Sequence, residues 1–444
     1  MDRDPGTVRP RSLLSVTDGV FLVAGMVIGV GIFKAPSIVA GASASSAAFF
    51  AAWILGGAVS LCGALVYAEL AGRYPETGGE YAFLSRAFGR GVGFLFAWSR
   101  MTVIQTGAIA AVAFVFGDYA SEMLSLGRHG SAIYAAAGVV ALTALNVAGT
   151  VESKTLQRVM QVLLFAGLAF IAVAGFLAPP AAQAAPASGG GAFGLAMIFV
   201  LLTYGGWNEA AYLAGELVDA RRNMLRVLVG GIVALTLLYL LVNIGYFSAL
   251  GLDGMKQSKA VAADVVRAVA GEKGAIVVAV IVCLAALTTM NAAIFTGART
   301  SYALGRDFPA FRFLGIWRSG GSTPANALIL QGAVTLVLVA ASSVTPDGFT
   351  AMVAYTAPVF WTFFLLSGLT LFAFRRRGDP GEGFRVPLYP FVPLAFSAAC
   401  LYMLYSSIDY VRNPDYGPKF GALVLAGVAV MLAGIPLYFV SKKP

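Results

Sequence analysis

The chain has 444 residues, of which 59% are hydrophobic and 11% are charged, and its mean hydropathy is +0.82. About a quarter of the residues in a soluble domain are charged, so this composition excludes an ordinary soluble protein and indicates an integral membrane protein. The formal net charge of +9 would suit an acidic partner, but the placement of the basic residues, given below, favours the membrane over nucleic acid.

Apolar runs of about 20 residues, the length that crosses a bilayer as a helix, predict an all-α protein with twelve transmembrane helices. In chain order, the predicted helices cover residues 14–40, 45–72, 91–117, 131–150, 156–178, 193–219, 225–250, 274–303, 325–342, 348–374, 388–407 and 421–440.

Glycines interrupt the first and the sixth of these helices. The two interruptions comprise Val27, Ile28, Gly29, Val30, Gly31 and Ile32, and Leu202, Thr203, Tyr204, Gly205, Gly206, Trp207, Asn208 and Glu209. A glycine costs a helix interior about 1 kcal/mol relative to alanine, and unwound backbone at membrane depth must bond to protein, water or ligand. Paired interrupted helices indicate the central site of a secondary transporter. Close packing of small residues between helices is the alternative interpretation.

The ends of interrupted helices suit a zwitterionic ligand. Amides of residues 29–31 carry partial positive charge and are candidates to bind a carboxylate. Carbonyls of Leu202, Thr203 and Gly205 carry partial negative charge and are candidates to accept from an ammonium group. No fixed side-chain charge is needed for either contact.

The chain divides into two units of five predicted helices, residues 14–178 and residues 193–374. A connector rich in Ala, Gly and Pro, residues 179–191, lies between them. Because five is odd, the second unit enters the membrane from the opposite side, which is the inverted-repeat pattern of transporters. Residues 1–13 are predicted to be a cytoplasmic tail, and residues 388–440 hold two further helices.

Two polar stretches leave alternatives open. Residues 251–273 are interpreted as an outer lid or, more cautiously, as a solvated loop with a surface helix. Thr288, Thr289 and Asn291 form a polar cluster in the eighth predicted helix, which suits either an ion site or hydrogen bonds between helices.

The basic residues predict the orientation. With the N-terminus inside, 21 of the 30 Lys and Arg residues lie at cytoplasmic ends and loops and 7 lie in outer loops. This bias follows the positive-inside rule and predicts a multi-pass protein of the cell inner membrane with both termini cytoplasmic. Runs such as residues 375–377 are therefore interpreted as topology determinants that contact lipid headgroups.

The sequence indicates neither cofactor nor metal. The three cysteines are far apart within predicted helices, and no catalytic constellation is apparent, so we expect no enzyme activity. A channel would want a continuous polar pore or a charged ring, which the sequence does not show.

Charged residues within predicted helices are functional candidates by default. Glu209 begins the second half of the interrupted sixth helix, where it is interpreted either as a proton-coupling or substrate-contacting group or as a structural cap. Glu69 and Arg100 are expected to snorkel or to form an internal ion pair. Lys34 is expected along the outer vestibule.

Several motifs resemble one family in order and spacing. Gly29-Val30-Gly31-Ile32-Phe33 resembles the G-S-G-I-F element of amino acid-polyamine-organocation (APC) superfamily transporters, particularly their L-amino-acid-transporter-like branch. Tyr204-Gly205-Gly206-Trp207-Asn208 resembles that family's Y-G-G-W-N element. The resemblance implies a leucine-transporter-type fold with helices 1 and 6 broken. It also implies transport of an amino acid, most simply a neutral L-amino acid, by an exchanger or a proton symporter; a cationic amino-acid or polyamine transporter is the alternative.

Three positions depart from the family pattern. Val30 replaces the serine of G-S-G, Leu202 stands where many relatives have an aromatic gate, and Leu164 stands where many have a lysine in helix five. The substrate side chain, the closing group and the coupling ion therefore stay open. Trp207, Thr288 and Thr289 are retained with Glu209 as candidates for coupling or gating.

Overall fold

The structure, a computed structural model, describes residues 15–74, 79–149, 154–179, 192–210, 219–317, 323–378, 384–409, 411–413 and 416–441. Its α-helices, numbered in chain order, are α1 Val16–Val27, α2 Ala35–Ala42, α3 Ser46–Arg73, α4 Glu80–Phe88, α5 Arg90–Ser99, α6 Gln105–Met123, α7 Gly130–Ala148, α8 Lys154–Leu177, α9 Phe193–Thr203, α10 Trp207–Ala210, α11 Ala220–Gln257, α12 Val261–Asp307, α13 Ala325–Ser342, α14 Gly348–Arg376, α15 Phe391–Asp409 and α16 Gly417–Ser441.

The described part of the chain confirms an all-helical, multi-pass membrane architecture. Nine stretches are long and apolar enough to cross a membrane, one of them formed by α5 and α6 joined through a π-helical turn at Arg100–Ile104. Two shorter apolar helices, Val162–Leu177 and Phe193–Thr203, add to these.

Local sequence signals explain several helix ends. Ser45 precedes α3 and its side chain accepts from the amide of Ala48 at 3.2 Å, and Asp347 does the same for Thr350 at the start of α14, at 2.7 Å. Such side chains satisfy amides that have no partner within the helix. α7 ends at Gly149, whose φ of 84° is the left-handed conformation that glycine adopts most easily.

The broken helices lie inside the bundle. α1 packs against α11, and α2 lies beside α9 and α11. α12 packs on α6 and α8, and α14 packs on α6, α15 and α16. We call the side of the breaks on which α2 and α9 lie the Lys34 end. α3 starts at that end and, with 28 residues, reaches the opposite side, which we call the Glu69 end.

The connection between α11 and α12 differs from the solvated loop that the sequence favoured. α11 continues to Gln257 with a kink at Gly251, and α12 starts at Val261 with a kink at Gly271, each glycine having a φ of 64°. The first turns of α12 are buried along Val261–Val266. The predicted surface helix is therefore present, with residues 268–270 exposed, but its first turns are not solvated, because their apolar residues pack against the bundle.

Candidate functional site

The first break separates α1 from α2. α1 ends at Val27, Gly29 is extended with φ −123° and ψ −168°, and Val30–Phe33 form a 3₁₀ turn before α2 begins at Ala35. The first amides of a helix have no acceptor within it. Residues 29–31 lie at the start of the 3₁₀ turn, where an anionic group would meet such amides.

The second break separates α9 from α10. α9 ends at Thr203, and Tyr204-Gly205-Gly206 form a turn before Trp207. Gly206 has a φ of 109°, which favours glycine. The amide of Gly205 donates to the carbonyl of Leu202 at 3.0 Å. The amide of Tyr204 is also directed at this carbonyl, so the turn itself already engages the Leu202 oxygen.

The two breaks touch each other at Gly31. A β-carbon at this position would lie 3.0 Å from Oγ1 and 3.1 Å from Cα of Thr203. Glycine is therefore required for the close approach of α9. The structure brings together the predicted residues of both segments, since the 3₁₀ turn after Gly29 packs against α9.

Gly29 has the opposite surroundings. The nearest heavy atom to a β-carbon there would be the carbonyl oxygen of Val27, 3.9 Å away. Ile28 and Val30, its neighbours, are buried, whereas Gly29 itself is partly exposed. Free space thus adjoins the amides of the first break, and we take it as the candidate ligand position.

Buried tyrosines bond to the carbonyls that the breaks release. The hydroxyl of Tyr239, on α11, lies 3.3 Å from the carbonyl oxygen of Val27 and 3.2 Å from that of Thr203. It has one hydrogen to donate, so the two carbonyls share it. The hydroxyl of Tyr246 donates to the carbonyl oxygen of Ile32, within the 3₁₀ turn, at 3.4 Å. Sequence reasoning missed these tyrosines, although their spacing of seven residues puts them on one face of a helix.

Tyr204 and Trp207 anchor the second break. The Tyr204 hydroxyl donates to the carbonyl of Trp53 at 3.0 Å, and its ring packs against Tyr239. Trp207 is buried, and its ring packs edge-on against Tyr67. Both side chains are therefore held by the bundle, and a ligand contact at these positions would come from the backbone.

The remaining predicted residues have varied surroundings. Asn208 is partly buried at the start of α10, and Glu209 follows it in the same helix, with its side chain outside the part that the structure describes. Thr288 and Thr289 donate to carbonyls of their own helix, at 2.9 and 3.0 Å. Asn291 accepts from Asn146 on α7 at 2.6 Å, which is the hydrogen bond between helices that the sequence favoured.

Lys34 closes a buried ion cluster at the Lys34 end. Its Nζ lies 2.7 Å from Oδ2 of Asp118, on α6, and 2.9 Å from Oδ2 of Asp347, at the start of α14. Nζ also donates to the carbonyl of Lys259 at 3.3 Å, and the residue is 2% exposed. The ammonium is committed to these partners and does not face the free space beside Gly29.

Glu69 and Arg100 form ion pairs near the opposite end. Glu69 is fully buried and pairs with Arg73 at 2.7 Å and with Arg375 of α14, whose Nε lies 2.9 Å away. Arg100 pairs with Glu80 of α4 at 3.1 Å. The internal ion pair is therefore the outcome for both residues.

Access to the breaks differs between the two ends. Leu202 is 37% exposed, whereas Phe199, which lies one turn nearer the Lys34 end on the same face of α9, is 1% exposed. Phe199 packs against Phe349, two residues after Asp347. Phe199 and Phe349 therefore cover the breaks on the side of the Lys34 end.

One protein-family model and several known proteins are similar to this chain. A protein-family model described as amino acid permease matches residues 14–432. The b(0,+)-type amino acid transporter 1 of Mus musculus is 27% identical, with 96% of this chain and 87% of that protein covered. The serine/threonine exchanger SteT of Bacillus subtilis (strain 168) is 26% identical over 95% of each chain. The Asc-type amino acid transporter 1 of Mus musculus is 26% identical, with 94% of this chain and 79% of that protein covered.

Proposed function

We propose that this protein, which belongs to the amino acid permease family of the APC superfamily, carries neutral L-amino acids across the membrane by alternating access. The observation that carries the proposal is the free space beside Gly29, in a break whose Gly31 touches Thr203 of the other broken helix. Paired broken helices at the centre of a bundle are the substrate site of this kind of transporter.

The ligand's two charged ends have separate partners. A carboxylate accepts from amides of residues 29–31, which gain from the partial positive charge of the helix start. An ammonium group donates to the carbonyl oxygens of Leu202, Thr203 and Gly205. The second lone pair of Thr203 remains available because Tyr239 uses one at most.

The charges around the breaks favour a neutral substrate side chain. Lys34, Glu69 and Arg100 are paired within the protein, so none of them is free to select a charged side chain. A cationic amino-acid or polyamine transporter of the same superfamily is the alternative. The relative named serine/threonine exchanger supports the neutral class.

The whole architecture follows from the same assignment. We infer twelve membrane spans, with residues 14–178 and 193–374 as two inverted five-helix repeats and residues 388–440 as two additional helices. The Lys34 end is the outer side, and both termini are cytoplasmic, in agreement with the positive-inside bias. With this orientation, the exposed side chain of Leu202 and the buried side chain of Phe199 correspond to an inward-facing state.

Exchange is the favoured transport mode. Leu164, on α8, is a buried apolar residue, so it supplies no charge to replace a coupling ion. The relative named as an exchanger supports the same mode. Proton symport through Glu209 is the second candidate mode.

Counterflow in proteoliposomes tests the function. Vesicles preloaded with one unlabelled neutral L-amino acid should accumulate the labelled compound, and the D-enantiomer should compete poorly. Methyl esters and N-acetyl derivatives should bind at least about tenfold more weakly, about 1.4 kcal/mol, because each removes one charged end. Efficient competition by a polyamine would move the assignment to the organocation branch. Ion conductance without saturable exchange would indicate a channel.

A further inference from the structure

Three ionised groups from three separate elements meet just beyond the first break. Lys34 follows Gly31 by three residues, Asp118 lies near the end of α6, and Asp347 precedes α14. Ser131, on α7, donates to the other oxygen of Asp118 at 2.7 Å, which holds that carboxylate toward the bundle. One ammonium thus ties the short helix α2 to α6 and α14.

A second layer covers this cluster. The segment that begins α12 places the carbonyl of Lys259 on the Lys34 ammonium, at 3.3 Å. The hydroxyl of Tyr119 donates to the carbonyl of Phe33 at 2.8 Å and accepts from the amide of Ala262 at 3.3 Å. The start of α12 is therefore fastened both to the 3₁₀ turn and to α6.

Arg267 extends the layer to the surface. Its guanidinium pairs with Glu122 of α6 at 2.5 Å, with Glu272 at 2.8 Å and with Asp264. These side chains are partly exposed, so screening by water and salt weakens the ion pairs between them. In the cluster around Lys34 the cation is 2% exposed and the carboxylates of Asp118 and Asp347 are 14% and 29% exposed, so its ion pairs are screened less than those of Arg267.

A buried ion cluster adds little to the stability of a protein, so its presence at this place points to another role. Desolvation offsets much of the attraction within a buried ion pair, whereas removal of one partner leaves an uncompensated buried charge. A cluster of this kind gives little net stability and strongly favours one arrangement of the elements it joins. Among the elements joined here, α6 and α14 pack against each other, and α2 packs against α9, the helix that carries Phe199.

We propose that Lys34 is the gating residue of the outer pathway, holding it shut by bonding Asp118 and Asp347 together, and that these contacts break each time the site opens outward. This inference rests on the proposed function, since it presupposes alternating access. Loss of the Lys34 charge then shifts the protein toward the outward-open state. A merely structural Lys34 would instead affect folding without changing which side of the membrane reaches the site.

Thiol labelling from one side of the membrane tests the gate without any transport measurement. The reporter is Phe199→Cys in a variant that lacks the three native cysteines, labelled by a membrane-impermeant maleimide added outside sealed vesicles of known orientation. With Lys34 present the reporter should react slowly, because the side chain at this position is 1% exposed. Lys34→Gln should raise the labelling rate at least tenfold. Lys256→Gln, which removes an exposed cation from the same end, should leave the rate unchanged.

Asp347→Asn provides a second route to the same result. It removes one of the two carboxylates, retains an oxygen for the amide of Thr350, and should raise labelling several-fold. Unchanged labelling in folded Lys34→Gln protein overturns the gate. If Lys34→Gln does not fold, unchanged labelling in Asp347→Asn overturns it. A change in labelling by a protein that binds no amino acid would instead retain the gate and refute the proposed substrate.

Discussion

Replacing Gly29 by alanine adds one methyl group at the candidate ligand position and should weaken substrate binding while the fold survives. The backbone there is extended, with a φ of −123°, which any residue adopts. The nearest heavy atom to the new β-carbon is 3.9 Å away, an ordinary van der Waals distance. The protein itself therefore tolerates the methyl group.

The expected loss of affinity follows from the contact that the methyl group blocks. An amide and a carboxylate oxygen bond at about 2.9 Å, so the carboxylate must enter the space that the methyl group fills. A hydrogen bond to a charged group is worth about 1.5–3 kcal/mol. Loss of one such bond corresponds to binding weaker by about tenfold to 150-fold.

Two further glycines calibrate this result. Gly41→Ala also enters open space, its nearest neighbour being Cγ of Lys256 at 4.0 Å, but it lies away from the breaks and should leave affinity unchanged. Gly31→Ala would meet Thr203 at 3.0–3.2 Å, so the two breaks must move apart. We expect it to lower thermal stability as well as affinity.

The assay is equilibrium binding of a labelled amino acid to purified protein, with thermal unfolding measured on the same samples. Wild-type affinity in folded Gly29→Ala protein would refute the assignment of the carboxylate to amides of residues 29–31. Equal loss of stability in the Gly29 and Gly31 variants would refute the distinction between open and crowded glycines.

Three other predictions concern the tyrosine bridge, the proton and the gate. Tyr239→Phe should lower the free energy of unfolding in detergent by about 1–3 kcal/mol and slow exchange, because it removes a buried hydroxyl shared by both breaks. Tyr405→Phe, at a side chain 63% exposed, is the control. Equal stability of the two variants would contradict the bridge. Glu209→Gln should abolish proton-driven uptake yet retain exchange if Glu209 couples the proton; preserved pH dependence together with preserved gradient-driven uptake would remove that role. Burial raises the pKa of Asp347, but the Lys34 ammonium outweighs this and lowers it below the usual 3.8, so Asp347 stabilises the closed gate above that pH and loses this effect only as the pH falls through the lowered value. The labelling rate relative to that of the same variant after denaturation, a ratio that removes the titration of the thiol itself, should therefore be constant between about pH 5 and 8. A rise of this ratio on mild acidification would contradict the assignment.

Sequence patterns predicted the parts of the site that depend on local backbone chemistry. The breaks after Val27 and Thr203 occur where glycines weaken the helix, and the zwitterion hypothesis used only the orphan groups that every helix end exposes. The roles of the two glycines in the first break were beyond this reasoning. Gly29 and Gly31 are equivalent as residue types, and only the position of Thr203 makes one crowded and leaves the other open.

Predictions for polar side chains were less complete, because their partners come from distant parts of the chain. Lys34 was expected along an open vestibule, but it is buried against Asp118, 84 residues away. The Tyr239 hydroxyl reaches a carbonyl 212 residues away. Neither pairing leaves a periodic signal in the sequence, since periodicity reports which face of a helix is apolar and not which helix it meets.

Hydropathy, glycine placement and the motifs around the breaks were sufficient, by themselves, to predict a membrane-embedded helical transporter of the amino acid permease family, because these properties depend on each segment's own transfer energy and backbone freedom. The tertiary structure alone decided which end is closed, which carbonyls the tyrosines occupy and where free space remains for a ligand. The physical reason is that buried ion pairs and hydrogen bonds form only where packing brings two distant groups within about 3 Å, and packing is a property of the whole bundle.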